Sequence, residues 1–334
     1  MNDSTQPDET PFLSIVVPCF NEADGLEEFY RRASAAAEAF GAFEIVLVDD
    51  GSKDATWSVI KSLCAEDLAV QGIRLSRNFG HQAALTAGLQ AARGERILMI
   101  DADLQDPPEL LTKMMAELDE GADVAYGKRE SRMGETAFKR LTAAVFYRAL
   151  KRISEVQIPI DTGDFRLITR PVLNALLDMP ERYRFIRGMV AWLGFNQVAV
   201  PYVRDARFAG ETHYTLGRMV KFSVDAMTGF STVPLQFAHV VANVTLLIAL
   251  GALIYIGGSL LTGTTVPGWA SILAFIAIFS SAQLFVLGVI GEYLGRMYME
   301  SKGRPLFVTA ERINGICSNK MRSSEQGVST PTAD

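Results

Sequence analysis

Between Asp225 and Glu292 the chain runs for 66 residues without a single Asp, Glu, Lys or Arg. About 20 consecutive apolar residues cross the hydrocarbon core of a bilayer. The gap therefore holds two membrane spans, expected at about 235–260 and 269–294, joined by a short turn over 261–268. The other way to use such a stretch is an unusually apolar core. Arg218 and Lys221 precede the pair, and Arg296, Lys302, Arg304 and Arg312 follow it, whereas the turn has no basic residue. Basic residues stay on the cytoplasmic side, which puts both ends of the pair there. Residues 1–11 are polar and acidic and lack the basic start and apolar run of a secretory signal, so the part before the spans is expected in the cytoplasm as well. The expected location is the inner, cytoplasmic membrane, crossed twice.

The rest of the chain has a different texture. Residues 12–127 alternate short apolar runs with segments of helical spacing. Strands are predicted at 12–18, 44–49, 72–76, 96–100 and 123–126, and helices at 22–40, from Asp54 to Leu63, from His81 to Ala92, and from Pro108 onward. Near-continuous apolar strands alternating with helices indicate an α/β domain built on a mostly parallel, Rossmann-like, doubly wound sheet. Ligands of such sheets bind beyond the carboxyl ends of the strands. The polar clusters fall there: Asn21 and Glu22, Asp49 and Asp50, Arg77 and Asn78, Asp101 and Asp103. The net charge of −6 argues against nucleic acid as a partner. Cys19, Cys64 and Cys317 have no metal or redox spacing and read as reduced thiols.

From Lys128 to Arg152 there are eight basic residues against two acidic ones, and Phe138, Leu141, Val145, Phe146, Leu150 and Ile153 recur at roughly helical spacing. A basic amphipathic helix over about 131–153 suits a membrane interface. Its alternative is a basic helix packed on the domain core. A second amphipathic segment over 216–232 leads into the spans. The expected plan is thus a polar N-terminus (1–11), a catalytic domain (12–215), a juxtamembrane helix (216–232), a pair of spanning helices (233–296) and a cytoplasmic tail (297–334). The tail beyond Gly315 is Ser/Thr-rich and expected to be disordered.

Asp101-Ala-Asp103 stands where a strand ends. Alternate residues of an extended segment point the same way, so two carboxylates can face one site and bridge through a hard divalent cation to a diphosphate. Gln105 is the next residue in that alternation. Val16 to Glu22 and Val48 to Ser52 end two further strands, and Asp50 could accept from a base N–H. Each of these, alone, could be ordinary turn chemistry. Three such ends in one sheet point to a common ligand.

Val-Pro-Cys-Phe-Asn-Glu, Val-Asp-Asp-Gly-Ser-Lys-Asp, Arg-Asn-Phe-Gly-His-Gln-Ala-Ala-Leu and Asp-Ala-Asp-Leu-Gln-Asp-Pro-Pro together resemble the family 2 glycosyltransferases of GT-A fold. Asp161 to Leu167 and Arg207 to Tyr214 are similar to the polyprenyl-phosphate branch, which includes dolichol-phosphate mannose synthase and the bactoprenol-phosphate glucosyltransferases of O-antigen modification. The resemblance runs from about Leu13 to Thr309. It implies that Pro18, Phe20, Glu22, Asp50, Ser52 and Asp101 hold the nucleotide. Asp101, Asp103 and Gln105 would hold Mg²⁺ or Mn²⁺ with the diphosphate, and Arg207 would approach it from a far loop. Arg129, Lys139 and Arg140 would receive the lipid phosphate. Asp103, Arg129, Asp164 and Arg207 are the catalytic set so implied, with Asp164 assigned to sugar hydroxyls or to orienting Arg166. Ala143 stands where some members have serine, and His213 where they usually have lysine. Implied partners are a UDP-sugar, polyprenyl phosphate and membrane lipids, with room for a homo-oligomer, tetrameric in similar bacterial enzymes.

The implied reaction is an inverting transfer of a hexose, glucose from UDP-glucose first among them, to undecaprenyl phosphate. A GDP-mannose-dependent mannose synthase and a non-catalytic assembly factor on the same domain are the competing expectations. No Gln-x-x-Arg-Trp of processive synthases and no Gly-x-Gly-x-x-Gly of dinucleotide binding occurs.

Overall fold

A computed structural model of the chain describes residues 10–129, 162–203, 233–262 and 268–314. The expected interfacial helix (131–153), juxtamembrane helix (216–232), most of the turn between the spans and the tail from Gly315 lie outside these residues. So do Arg207, Lys139, Arg140, Ala143 and His213.

Residues 10–129 form the alternation their apolar runs predict. In order come β1 (Leu13–Cys19), α1 (Leu26–Ala37), β2 (Phe43–Asp49), α2 (Thr56–Glu66), β3 (Val70–Leu75), α3 (His81–Ala91), β4 (Arg96–Met99), α4 (Leu111–Asp119) and β5 (Val124–Arg129). All seven residues of β1 are buried, as expected of a strand covered on both faces. Its side chains divide by the two-residue period. Leu13, Ile15 and Val17 join a core under α1, α2 and α4, whereas Val16 joins a second core under α3 on the opposite face. On α1 the buried positions Leu26, Phe29, Ala33 and Ala37 follow helical spacing and turn one stripe to the sheet. Leu26 and Phe29, fully buried, each contribute about 1.5–3 kcal/mol. Helix α3 lies closest: a Cβ on Gly88 would sit 2.3 Å from Val16 Cγ1, so only glycine fits where that helix crosses β1.

Beyond β5 follow β6 (Thr162–Thr169), α5 (Arg170–Asp178), α6 (Ile186–Trp192), β7 (Gln197–Tyr202), two long helices α7 (Val233–Thr262) and α8 (Trp269–Ser301), and β8 (Thr309–Ile313). One eight-stranded sheet results, in the order β7-β5-β6-β4-β1-β2-β3-β8. The stretch β3-β2-β1-β4 is parallel throughout. The sheet is more mixed than the strand–helix alternation suggests, because β6 runs antiparallel between β4 and β5 and β8 runs antiparallel along β3.

Helices α7 and α8 contain apolar stretches, Phe237–Ser259 and Ile278–Ser301, long enough to cross a membrane. Leu246, Leu247, Ile254 and Leu284 on them are exposed. Phe237 near the start of α7 meets Phe285 of α8 edge to face at 6.1 Å, as an antiparallel pair requires. The chain then returns to the sheet. Ser76 N–H donates to Val308 O, Trp57 Nε1 to Glu311 Oε2 at 3.1 Å, and Asn314 Nδ2 to Cys64 O and Val70 O. The end of α8 also touches the domain directly. Glu300 Oε1 accepts from Arg182 N–H at 2.9 Å, and the Arg296 guanidinium lies 4.9 Å from the Tyr183 ring centre.

Candidate active site

Order 3-2-1-4 places the reversal of strand order between β1 and β4, where an open α/β sheet parts its loops. A cleft of about 350 Å³ opens there. Pro18, Cys19 and Phe20 leave β1 into it, Asp50 follows β2, and Asp101, Ala102 and Asp103 follow β4. The fourth wall is the start of α3, with Asn78, Gly80 and His81. Six residues singled out from the sequence, Pro18, Phe20, Glu22, Asp50, Asp101 and Asp103, thus share one cleft.

Several of them are held by the backbone. Asp50 accepts from Phe79 N–H at 2.7 Å with Oδ1 and from Gly80 N–H at 2.9 Å with Oδ2, which fixes the turn into α3. Burial raises its pKa despite those donors. Ser52 is not part of the cleft wall: its hydroxyl accepts from Asn21 N–H at 3.0 Å. Asn21 Oδ1 accepts in return from Lys53 N–H, and Thr56 Oγ1 accepts from Glu22 N–H at 2.9 Å. Ser52, Asn21 and Thr56 therefore pin the loops after β1 and β2 together. Phe20, 43% exposed, keeps its ring at the rim.

The segment after β4 is a turn rather than the extended strand the alternation assumed. Leu104 has φ +56°, and Gln105 N–H donates back to Asp103 Oδ1 at 3.1 Å. Asp101 and Asp103 still face the cleft, while Gln105, carried round by the turn, is not in its wall. Burial, then the charges of Asp164, Asp103 and Asp106, raise the Asp101 pKa to about 6 against the opposing pull of His81.

His81, at the first turn of α3, stands between two carboxylates. Its Nε2 lies 3.6 Å from Asp101 Oδ1 and 3.3 Å from Asp164 Oδ2. Burial disfavours its charged form, but the hydrogen bond to Asp164 and both negative charges outweigh it and raise its pKa to about 9. Asp164, 8% exposed, also accepts from Gln82 Nε2 at 2.8 Å and from Arg187 Nε at 3.3 Å. Burial works against its ionisation, yet His81, Arg187 and Arg166 hold its pKa well below the ordinary carboxylate range. A carboxylate so held is a weak base. Arg166 itself is buried and donates from Nη2 to Gly163 O at 3.2 Å, so the hydrogen bonds of Asp164 orient His81, Gln82 and Arg187 rather than Arg166. Burial lowers the Arg166 pKa to about 10.

Arg129 ends β5, outside the cleft wall. Its Nε donates to Tyr202 Oη at 3.3 Å, and its Nη2 lies 3.8 Å from Asp106 Oδ1. Tyr202 O–H donates to Asp106 Oδ1. His81, Gln82, Arg187, Tyr202 and Asp106 were not assigned roles from the sequence. His81 and Gln82 lie in the motif Arg77 to Leu85 and Asp106 in the motif Asp101 to Pro108, both of which carry the resemblance; Arg187 and Tyr202 are brought in only by tertiary pairing.

Asp101 and Asp103 supply hard oxygen donors on one wall, the donor type Mg²⁺ and Mn²⁺ take. Among the described residues no group of three or more His, Cys, Asp or Glu side chains could hold a metal ion alone. The set therefore fits a cation that is completed by substrate phosphates and water.

The glycosyl transferase family 2 model matches residues 14–177, from β1 to the end of α5. An uncharacterized glycosyltransferase, YkcC, of Bacillus subtilis (strain 168) is 44% identical over 320 residues, covering 95% of this chain and 98% of that one. A prophage bactoprenol glucosyl transferase homolog of Escherichia coli (strain K12) and the bactoprenol glucosyl transferase of Shigella phage SfV are each 38% identical over 301 residues, covering 89% of this chain and 97% of theirs. The likeness extends through the cleft, the inserted β6 and the two apolar helices alike, and the chain belongs to the family 2 glycosyltransferases.

Proposed function

We propose that this glycosyltransferase moves glucose from UDP-glucose to a polyprenyl phosphate, undecaprenyl phosphate in particular, at the cytoplasmic face of a membrane. The observation that carries this reading is the pairing, in one chain, of the Asp101–Asp103 cleft with two exposed apolar helices, over nearly the full length of relatives named bactoprenol glucosyl transferase. A soluble nucleotide sugar enters from water, whereas a polyprenyl acceptor keeps its phosphate at headgroup level. Such an enzyme needs a cleft beside the bilayer.

Pro18, Phe20, Glu22 and Asp50 line the pocket for the nucleoside. Each oxygen of Asp50 keeps acceptor capacity beyond its backbone donor. Ser52 serves this pocket indirectly, by holding the loop of Asn21. Asp101 and Asp103 would hold Mg²⁺ or Mn²⁺ with the diphosphate, and Gln105 follows in their turn. The cation, when bound, neutralises charge developing on the leaving diphosphate. Arg129, Lys139 and Arg140 are assigned to the acceptor phosphate, and Arg207 to the diphosphate. Asp164 holds His81 and Arg187 at the cleft.

No general base is required. A hydroxyl acceptor would need one, but a phosphate monoester has its second pKa near 6 and is mostly dianionic at neutral pH. The work left to the protein is to bring two anions together, for which arginines on the acceptor are suited. A single in-line displacement inverts the anomeric carbon, so an α-linked donor gives a β-linked product. The test is a panel of radiolabelled UDP- and GDP-sugars incubated with the enzyme and undecaprenyl phosphate. Label from UDP-glucose in the lipid fraction is expected; label from GDP-mannose alone would replace the donor assignment.

A further inference from the structure

Arg129 is not a loose surface cation. Its guanidinium is fixed by two groups from elsewhere in the fold: Tyr202, the last residue of β7, and Asp106, in the turn after β4. Both are buried, Asp106 1% and Tyr202 5% exposed. The phenol is used twice, donating to Asp106 Oδ1 and accepting from Arg129 Nε. Its ring is braced edge to face by Phe165 of β6 at 5.7 Å. The backbone makes room as well: a Cβ on Gly163 would lie 3.1 Å from Arg129 Nη2. Groups from β6, from the end of β7 and from the turn after β4 thus converge on one side chain at the end of β5. One of its holders, Asp106, belongs to the same short turn as Asp101 and Asp103.

We propose that Tyr202 and Asp106 are positioning residues for Arg129, holding it rigidly against the Asp101–Asp103 turn so that the acceptor phosphate is presented at a fixed distance from the donor. This rests on the reading of Arg129 as an acceptor-phosphate ligand. Two reactants aligned by a stiff scaffold gain rate from orientation, and a residue that aims an arginine acts on acceptor use without touching the nucleotide.

The experiment uses the full-length protein in detergent or nanodiscs. The variants are Tyr202→Phe, Asp106→Asn and Arg129→Ala, together with the double variant Tyr202→Phe/Arg129→Ala. The readouts are KM for undecaprenyl phosphate, kcat, UDP affinity by calorimetry and melting temperature. Tyr202→Phe removes one hydroxyl and keeps the ring. It is expected to raise the lipid KM by about tenfold, the loss of one hydrogen bond to a charged group, with UDP affinity within about twofold of wild type. On the Arg129→Ala background the same change is expected to add nothing, since coupled residues are not additive. That cycle, and Asp106→Asn, remain informative if Tyr202→Phe lowers the melting temperature. An unchanged lipid KM in Tyr202→Phe, or an equal further rise on the Arg129→Ala background, overturns the positioning role while leaving Arg129 as ligand. An unchanged lipid KM in Arg129→Ala itself instead removes the reading beneath it.

Discussion

At the scale of single residues, the end of the strands away from the cleft carries a buried charge. Glu44, 1% exposed on β2, accepts from Ser14 Oγ and Arg93 N–H with Oε1, and from Gln71 Nε2 and Arg93 Nε with Oε2, all within 2.6–2.9 Å. Removing one partner of such a set leaves the others desolvated and unpaired. Glu44→Ala is therefore expected to cost about 3–5 kcal/mol, read as a lower denaturation midpoint; a shift under about 1 kcal/mol would mean that water replaces the carboxylate freely. Glu44 shows how much of the site and core a sequence discloses. It reads as one more strand residue, because its four donors come from β1, β3 and the segment between α3 and β4. Asp101, Asp103 and Asp50 were legible since strand-end carboxylates in an open α/β sheet have one place to go. His81 and Tyr202 were not, for their chemistry depends on neighbours that only the β6 insertion and β7 bring near. Gln105 was read onto the cleft face by strand alternation, and the positive φ at Leu104 turns it away.

At the scale of elements, β1 to β4 were legible because each is a short apolar run closed by turn residues, and the parallel order follows from the helices between them. Strand β8 was not. Its residues Thr309-Ala-Glu-Arg-Ile have no apolar alternation, four of the five are exposed, and the strand exists by pairing with β3 more than 230 positions away. Helix α8 runs to Ser301, past Leu294 where the apolar run ends, and its last turns carry Glu292 and Arg296, paired at i,i+4, and Glu300, which reaches Arg182. The consequence is a clasp on both sides of the chain's return to the domain. Ending the protein before Thr309 bares the edge of β3 and removes Glu311 and Asn314, the partners of Trp57 Nε1 and of the Cys64 and Val70 carbonyls. The melting temperature is expected to fall by roughly 3–10 °C, the equivalent of a few kcal/mol in a domain of this size. An unaltered melting temperature would reduce β8 to an ornament of the sheet edge.

At the scale of the whole molecule, the clasp holds the end of α8 against the domain as a flexible tether would not. The end of α8 is fixed to Arg182 and Tyr183, the following chain is fixed to β3, and α6 from the same region sends Arg187 to Asp164 behind the cleft. If α7 and α8 cross the bilayer, the cleft stands at a set height above it. A protein so anchored is expected to remain with membranes through high-salt and alkaline carbonate washes and to leave them only in detergent; release by salt alone would make the attachment electrostatic and the two helices something other than spans. Cation-dependent transfer from a nucleotide sugar to a lipid phosphate at the Asp101–Asp103 turn is the activity proposed for this cleft. Its most direct measurement is the rate at which radiolabelled glucose passes from UDP-glucose to undecaprenyl phosphate, with and without EDTA, in the wild-type protein and in Asp103→Ala. The expected result is transfer that EDTA abolishes and Mg²⁺ or Mn²⁺ restores, with a loss of about 100-fold or more in Asp103→Ala, the scale of removing one electrostatic stabiliser of a transition state. Full transfer by Asp103→Ala in EDTA would contradict it.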